Sequence, residues 1–456
     1  MRGSKYLTFG LVLILISFSM IGGVTKHVQK ENVAISQNLR YELANDDFFE
    51  KIILNLMKIA RMSALSACII KGDKVIWAKG FGLYDRENDK QADENTIYLV
   101  ASISKTFTAT AIMQLYEKGY FDLDDDVNDY LPFPLRNPNY PDKPITFRIL
   151  LAHQSSLAED PPAFYSYIPG DLEVVGYPYP WLEEYLVPGE IHYKPQVWTD
   201  FLPGEEMNYA NVGYGLLGYL VEIISGMPFE EYCRENIFEP LGMKNTSFML
   251  SNLDVSKIAV PYVFQYGKYY PLLHYGILDY PAGGLRTNVL NLSKFLIAHM
   301  NGGVYNGTRI LSEESVEKMH TIQYPSKHYN FQYGLGWQIW VKPSDVYIGH
   351  TGGLYGVATK MVFRKSDNTA IIFFTNKEVY NLREIVVFSL IERLLFWKAS
   401  GDASELKKDM IKETILENKH LLRDSCNIDF RYLDEVIKEI NSICMNGGIL
   451  HKNIYT

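Results

Sequence analysis

Cysteine is scarce in this chain. There are four in 456 residues, none in a Cys-x-x-Cys pair, which excludes a disulfide-dense scaffold and a clustered thiolate metal site. Cys68 falls in a strand pattern and Cys233 in a helix pattern, as core residues do. Cys426 and Cys444 share the tail, where an oxidising compartment would let them pair. No H-E-x-x-H is present and the ten histidines are scattered, so neither a metal site nor a cofactor is expected. The absence of G-x-S-x-G removes the strained serine elbow of an α/β-hydrolase. Positive charge is in deficit, with 44 basic against 53 acidic residues, and no basic stripe stands out. That argues against a nucleic-acid partner. Only 21% of residues are charged and 47% are hydrophobic, so the chain carries enough apolar material to fold as a globule.

One long hydrophobic run is present. Arg2 and Lys5 precede an apolar stretch from Leu7 to Met20, then Ile21 to Val24. Residues 1–24 read as an export signal, or as an uncleaved anchor attaching the chain to a membrane through residues 6–24. In either case the basic end stays inside and the folded body lies outside. That body is expected over residues 45–398. A helix pattern covers 45–62, and strand patterns cover Ala64 to Ile70 and Lys74 to Gly80. Three more strands are expected at Gln338 to Trp340, Tyr355 to Arg364 and Thr369 to Thr375, before a closing helix from Leu382 to Lys398. Strands at both ends with helical segments between them fit one antiparallel sheet built from both chain ends, with a helical lobe inserted. Residues 158–200 hold seven prolines and a run of aromatics, and read as an insertion: either a roof over a cleft or a rigid patch packed on the lobe. Residues 405–456 read as a charged helical extension. Oligomeric state is not legible.

Ser102-Ile-Ser-Lys105 carries the most chemistry. It stands before an apolar run in which Ile103, Phe107, Ala111 and Leu115 recur every four residues, with Gly119 as a stop. On such a helix Ser102 lies at the N-terminus and Lys105 one turn along the same face. An amine within reach can take the serine proton, and the helix N-terminus favours the alkoxide that forms. A serine N-cap on an ordinary amphipathic helix has the same spacing. Further along come Tyr209-Ala-Asn211 and Gly349-His-Thr-Gly-Gly353. Gly213-Tyr-Gly-Leu-Leu-Gly218 matches a dinucleotide fingerprint, but no buried strand precedes it and no βαβ unit follows. It reads instead as a helix with glycines for close packing.

The order S-x-x-K, Y-x-N, [K/H]-T-G resembles the serine β-lactamase and penicillin-binding-protein superfamily, and most of all its class C β-lactamase-related branch of esterases and D-amino-acid peptidases. The likeness covers roughly residues 45–398. It extends to the phrases Ile145 to His153, Gly213 to Gly218, Pro240 to Met243 and Pro281 to Leu285. It implies an α+β, β-lactamase/transpeptidase-like fold and a serine hydrolase acting through an acyl-enzyme on a small-molecule or peptide substrate, an ester or amide. A catalytically weak or inactive penicillin-binding receptor on the same fold is the lesser alternative, since all three motifs are intact. By resemblance, Ser102 is the nucleophile. Lys105 or the Tyr209 phenolate is the base, and Tyr209 returns the proton to the leaving group. Asn211, His350, Thr351 and Gly352 bind substrate, and the amides of Ser102 and Gly353 form the oxyanion hole. Asn211 also reads as the cap of a helix starting at Val212, and His153 as structural. His350 departs from the lysine usual there. A partly charged imidazole at that position leans toward substrates with a weak carboxylate demand and away from efficient β-lactam hydrolysis.

Overall fold

The computed structural model describes residues 46–158, 168–170, 181–325, 331–343 and 345–400. The expected export segment, the extension over 405–456, Cys426 and Cys444 lie outside the described residues. The chain divides into two compact units. In one, helix α1 (Asp46–Ile59) packs on α5 (Leu382–Ser400), where Lys398 Nζ donates to Asp46 Oδ1 at 2.5 Å and lies 4.7 Å from the Phe49 ring centroid.

The other unit, Ser63–Glu378, is built on an antiparallel sheet of eight strands. They are β1 (Ala64–Lys71), β2 (Lys74–Asp85), β3 (Lys90–Gln91), β4 (Gln332–Tyr333), β5 (Gln338–Lys342), β6 (Asp345–Leu354), β7 (Val357–Arg364) and β8 (Thr369–Thr375). Their order across the sheet is β4-β5-β6-β7-β8-β1-β2-β3. The first and last long strands meet at its centre, Leu65 opposite Thr375 and Lys71 opposite Thr369. Sheet and helices together make the α+β architecture that the sequence implies. β1 and β8 are buried on both faces along most of their length, which is why they read as continuous apolar runs.

Several strand boundaries differ from expectation: β2 runs on to Asp85 rather than Gly80, and β5 to Lys342 rather than Trp340. Tyr355 and Gly356 form the turn between β6 and β7, so the strand starts at Val357. β6 itself, Asp-Val-Tyr-Ile-Gly-His-Thr-Gly-Gly-Leu, forms although its three glycines are poor strand formers.

Helices fill the span between the strands. α2 (Ser104–Glu117) is buried from Ser104 to Leu115, so it is a central helix with no solvent face along that stretch. α4 (Val289–Met300) packs on β1 and β8, and its Phe295 stacks on Phe107 of α2 at 3.8 Å. α3 (Asn211–Ser225) carries the Gly213-to-Gly218 pattern. A Cβ on Gly218 would overlap Pro281, and one on Gly215 would lie 3.2 Å from Asp279 Cβ. The glycines therefore admit the segment around Pro281 against the helix, and no dinucleotide-binding turn is involved. Within 158–200, Trp181, Leu182, Tyr185, Leu186, Val197 and Trp198 are buried in the core, which makes those residues a packed patch. Phe164, Tyr165, Tyr167, Tyr177 and Tyr179 lie outside the described residues.

Candidate active site

Ser102 sits one step outside the expected helix. Ala101–Ile103 form a 3₁₀ turn that feeds α2. Ala101 has φ +49°, a left-handed conformation uncommon for a residue with a Cβ. Neighbouring segments hold it there. Ser104 Oγ donates to Ala101 O at 2.6 Å and accepts from Leu285 N at 3.0 Å. Val100 N donates to Leu285 O, and Thr359 Oγ1 donates to Val100 O, both at 2.8 Å. The strain is thus fixed by β7 and by the Gly284–Leu285 segment, and Ser102 beside it is half-buried.

Lys105 is fully buried. Its Nζ lies 3.1 Å from Ser102 Oγ, 2.5 Å from Asn211 Oδ1 and 2.7 Å from the carbonyl oxygen of Ala282. Asn211 Oδ1 and Ala282 O can only accept, so two amine hydrogens are committed to them. The third direction faces Ser102. An ammonium donates there, and a neutral amine turns its lone pair there. One arrangement therefore holds both protonation states without moving an atom. Asn211 is the first residue of α3, whose cap is Ala210, so the helix-cap reading of Asn211 is corrected: its side chain accepts from Lys105. The Pro281-to-Leu285 phrase supplies Ala282 O, a partner that no side-chain motif could announce.

Tyr209 faces the same amine, its ring centroid 4.9 Å from Lys105 Nζ. Its ring also stacks on His153, with centroids 4.2 Å apart and planes at 28°. Two stretches distant in sequence thus bring a hydroxyl, an amine and a phenol ring together, and a third, at Ala282, holds the amine.

β6 supplies the fourth element. Its pairing with β5 ends at Gly349 opposite Gln338. Past that point Gln338 Oε1 accepts from Thr351 N at 2.9 Å and Thr351 Oγ1 at 3.1 Å. Amides alternate along a strand, so the N–H of Gly353 faces the same edge as that of Thr351, away from β7. Gly352 lies against Val100 and Ala101. This edge therefore runs beside the Ser102 turn.

His350 differs from expectation. It is fully buried, and burial with the nearby Lys105 charge lowers its pKa to about 3. It is neutral at ordinary pH. Thr351 O lies 2.6 Å from Nδ1 and can only accept, so Nδ1 carries the hydrogen and Nε2 accepts from Tyr333 OH at 2.6 Å. In place of the partial charge expected at this position, His350 is a neutral imidazole that links β6 to β4. Tyr333 and Gln338 escaped the sequence reading because lone polar residues in strand patterns carry no signal.

His153 and His299 are also buried, and burial holds both well below the ordinary histidine pKa. The unfolded chain takes these protons below about pH 6.5 and the native protein does not. The stability tied to His153, His299 and His350 is therefore complete above that pH and lost as pH falls toward their folded values. The slope is about 1.4 kcal/mol per pH unit for each group. Glu222 and Glu230, raised by burial, work in the opposite direction near their own titration. The urea midpoint is expected to drop between pH 7 and pH 5. A flat or rising midpoint would contradict the neutral assignment.

This sheet and its inserted helices have the fold of the serine β-lactamase and penicillin-binding-protein superfamily. A family model described as Beta-lactamase matches residues 49–392, and the chain belongs to that family. It is 30% identical over 323 residues to a Bacillus subtilis (strain 168) protein named as penicillin-binding protein PbpX, covering 68% of this chain and 70% of that one. Among solved structures, it is similar to the octameric penicillin-binding protein homologue from Pyrococcus abyssi, with TM-score 0.63, 27% identity and 81% of each chain covered. The D-amino acid amidase from Ochrobactrum anthropi SV3 shares the fold, with TM-score 0.59, 21% identity, and 81% of this chain and 99% of that one covered. The chain spans 62% to 70% of the length of the first curated relatives it matches.

Proposed function

We propose that this protein is a serine hydrolase that acts through an acyl-enzyme on Ser102, with an ester or amide as substrate. The observation that supports this most is the commitment of two Lys105 hydrogens to Asn211 Oδ1 and Ala282 O, which leaves the third direction for Ser102 Oγ. Ser102 Oγ attacks the acyl carbonyl while its proton passes to Lys105 or to the Tyr209 phenolate. The amides of Ser102 and Gly353 receive the negative charge on the carbonyl oxygen. Tyr209 returns the proton to the leaving alcohol or amine, and water then releases the acid from Ser102 by the reverse proton path. Thr351 and Gly352 line the substrate edge.

The substrate class proposed is a small ester, a peptide or a D-amino-acid amide, in keeping with the amidase that shares the fold. Efficient β-lactam hydrolysis is the lesser expectation, because neutral His350 supplies no fixed charge for the β-lactam carboxylate. With residues 1–24 as an export segment or anchor, the substrate would be met outside the membrane.

Incubation with a fluorescent phosphonate is expected to give one adduct on Ser102, mapped by peptide mass, and none in Ser102→Ala. Turnover of p-nitrophenyl esters and D-amino-acid amides should disappear with it. An adduct at another residue, or undiminished turnover by folded Ser102→Ala, would overturn the proposal. Labelling without turnover on any substrate would favour a penicillin-binding receptor.

A further inference from the structure

His153 has two local costs and three ties to the segment that carries Tyr209. Its backbone stands at φ +57°, a conformation that a side chain beyond Cβ makes uncommon. Its Nδ1 accepts from Ala210 N at 3.1 Å, so in the neutral ring the hydrogen sits on Nε2. That Nε2 is buried without a hydrogen-bond partner among the described residues. An orphaned buried donor typically costs about 1–3 kcal/mol. A residue chosen for stability alone would shed both costs.

The ties explain what is retained. His153 O accepts from Asn208 N at 2.8 Å, and Nδ1 accepts from Ala210 N. The two residues flanking Tyr209 are thereby fixed to one histidine. The ring of that histidine lies under the Tyr209 ring, with centroids 4.2 Å apart. On its other sides the imidazole meets Tyr214 at 5.0 Å and Tyr333, nearly perpendicular to it, at 4.7 Å, so it has little freedom to tilt. Tyr214 is itself anchored, its OH donating to Leu151 O at 2.7 Å.

We infer that His153 is a positioning residue which sets the Tyr209 phenol against Lys105 and Ser102, by gripping the backbone on both sides of Tyr209 and supporting its ring. This rests on the role proposed above for Tyr209. A neutral imidazole is needed, since a proton on Nδ1 would break the bond to Ala210, and burial keeps the ring neutral. Displacing a reacting group by about 1 Å costs on the order of a hundredfold in rate.

The test is a double-mutant cycle on the rate of Ser102 modification by the fluorescent phosphonate. His153→Gly removes acceptor and ring yet tolerates the backbone. His153→Asn also tolerates it and keeps an acceptor where Nδ1 stands. In the Tyr209 background, His153→Gly is expected to slow labelling by about ten- to hundredfold, and His153→Asn by less. In the Tyr209→Phe background both should change it by less than about twofold, because a residue acting through the phenol has nothing left to position. Equal losses in the two backgrounds would show a merely structural role and overturn the inference. If His153→Gly does not fold, His153→Asn carries the same comparison. Wild-type labelling rates in Tyr209→Phe alone would withdraw the phenol's role and the inference with it. A wild-type protein that never labels would refute the hydrolase proposal itself, which is a different result.

Discussion

Replacing Lys105 by methionine is expected to lower the rate of Ser102 acylation by about 10²–10⁴-fold, the span of a lost general base. Methionine fills most of the volume and offers no hydrogen bond, so Asn211 Oδ1 and Ala282 O lose their donor and Ser102 loses its proton acceptor. The first loss acts on stability. A buried acceptor that loses such a donor typically costs about 1–3 kcal/mol, so the melting temperature should fall while the protein still folds. The second acts on chemistry alone. Arginine separates them: Lys105→Arg keeps donors for both carbonyl oxygens, but a guanidinium has no lone pair at any accessible pH. The arginine protein should therefore recover part of the stability and none of the rate, provided the buried site admits its bulk. Labelling of Lys105→Met within tenfold of wild type, with the fold confirmed by circular dichroism, would remove Lys105 from the proton path. Tyr209 would then remain as the candidate base, and Tyr209→Phe should carry the larger loss.

That experiment bears on a pair of residues that the sequence already placed together. Ser102 and Lys105 are close because a three-residue spacing on a turn entering a helix leaves little choice, and the periodic run behind them gave the helix away. The sheet was legible for a similar reason: β1 and β8 are buried on both faces, so their composition alone marks them. What escaped detection depends on burial or on backbone atoms. Ala282 acts through its carbonyl, which every residue has. His350 was expected to be partly charged because its ordinary pKa lies near neutrality. Its enclosure beside Lys105 reverses that, and no local pattern reports enclosure. His153 looked structural because its strain, its orphaned nitrogen and its stack on Tyr209 exist only in three dimensions. The start of β7 was misplaced at Tyr355 because tyrosine favours strands, although here it sits in the turn before Val357.

Neighbouring glycines at the end of β6 should respond to alanine in opposite ways. A Cβ on Gly352 would fall inside contact distance of Thr359 Oγ1 and of Val100 O, with Ala101 Cβ 3.1 Å away. Val100 O is backbone, and Thr359 Oγ1 is already bonded to it at 2.8 Å, so neither can step aside cheaply. The strand itself must move away from the Ala101–Ile103 turn, and that turn carries Ser102. A Cβ on Gly353 meets nothing within 4 Å and its backbone is not left-handed, so alanine fits there without strain. If the amides of Ser102 and Gly353 share the oxyanion, Gly352→Ala separates the two donors while removing neither. The expected loss is about 10²–10³-fold in acylation rate, the usual cost of one such donor, with substrate affinity much less affected. Gly353→Ala keeps its N–H and should stay within about threefold of wild type. The contrast matters because glycine-rich edges are readily explained by a need to admit substrate. On that account, Gly353, whose missing side chain borders open space, would be the sensitive position and Gly352 the tolerant one. Packing against Val100 and Ala101 requires the reverse order. Measured rates that follow the first order would mean that β6 and the serine turn do not bear on each other as their close approach at Gly352 requires.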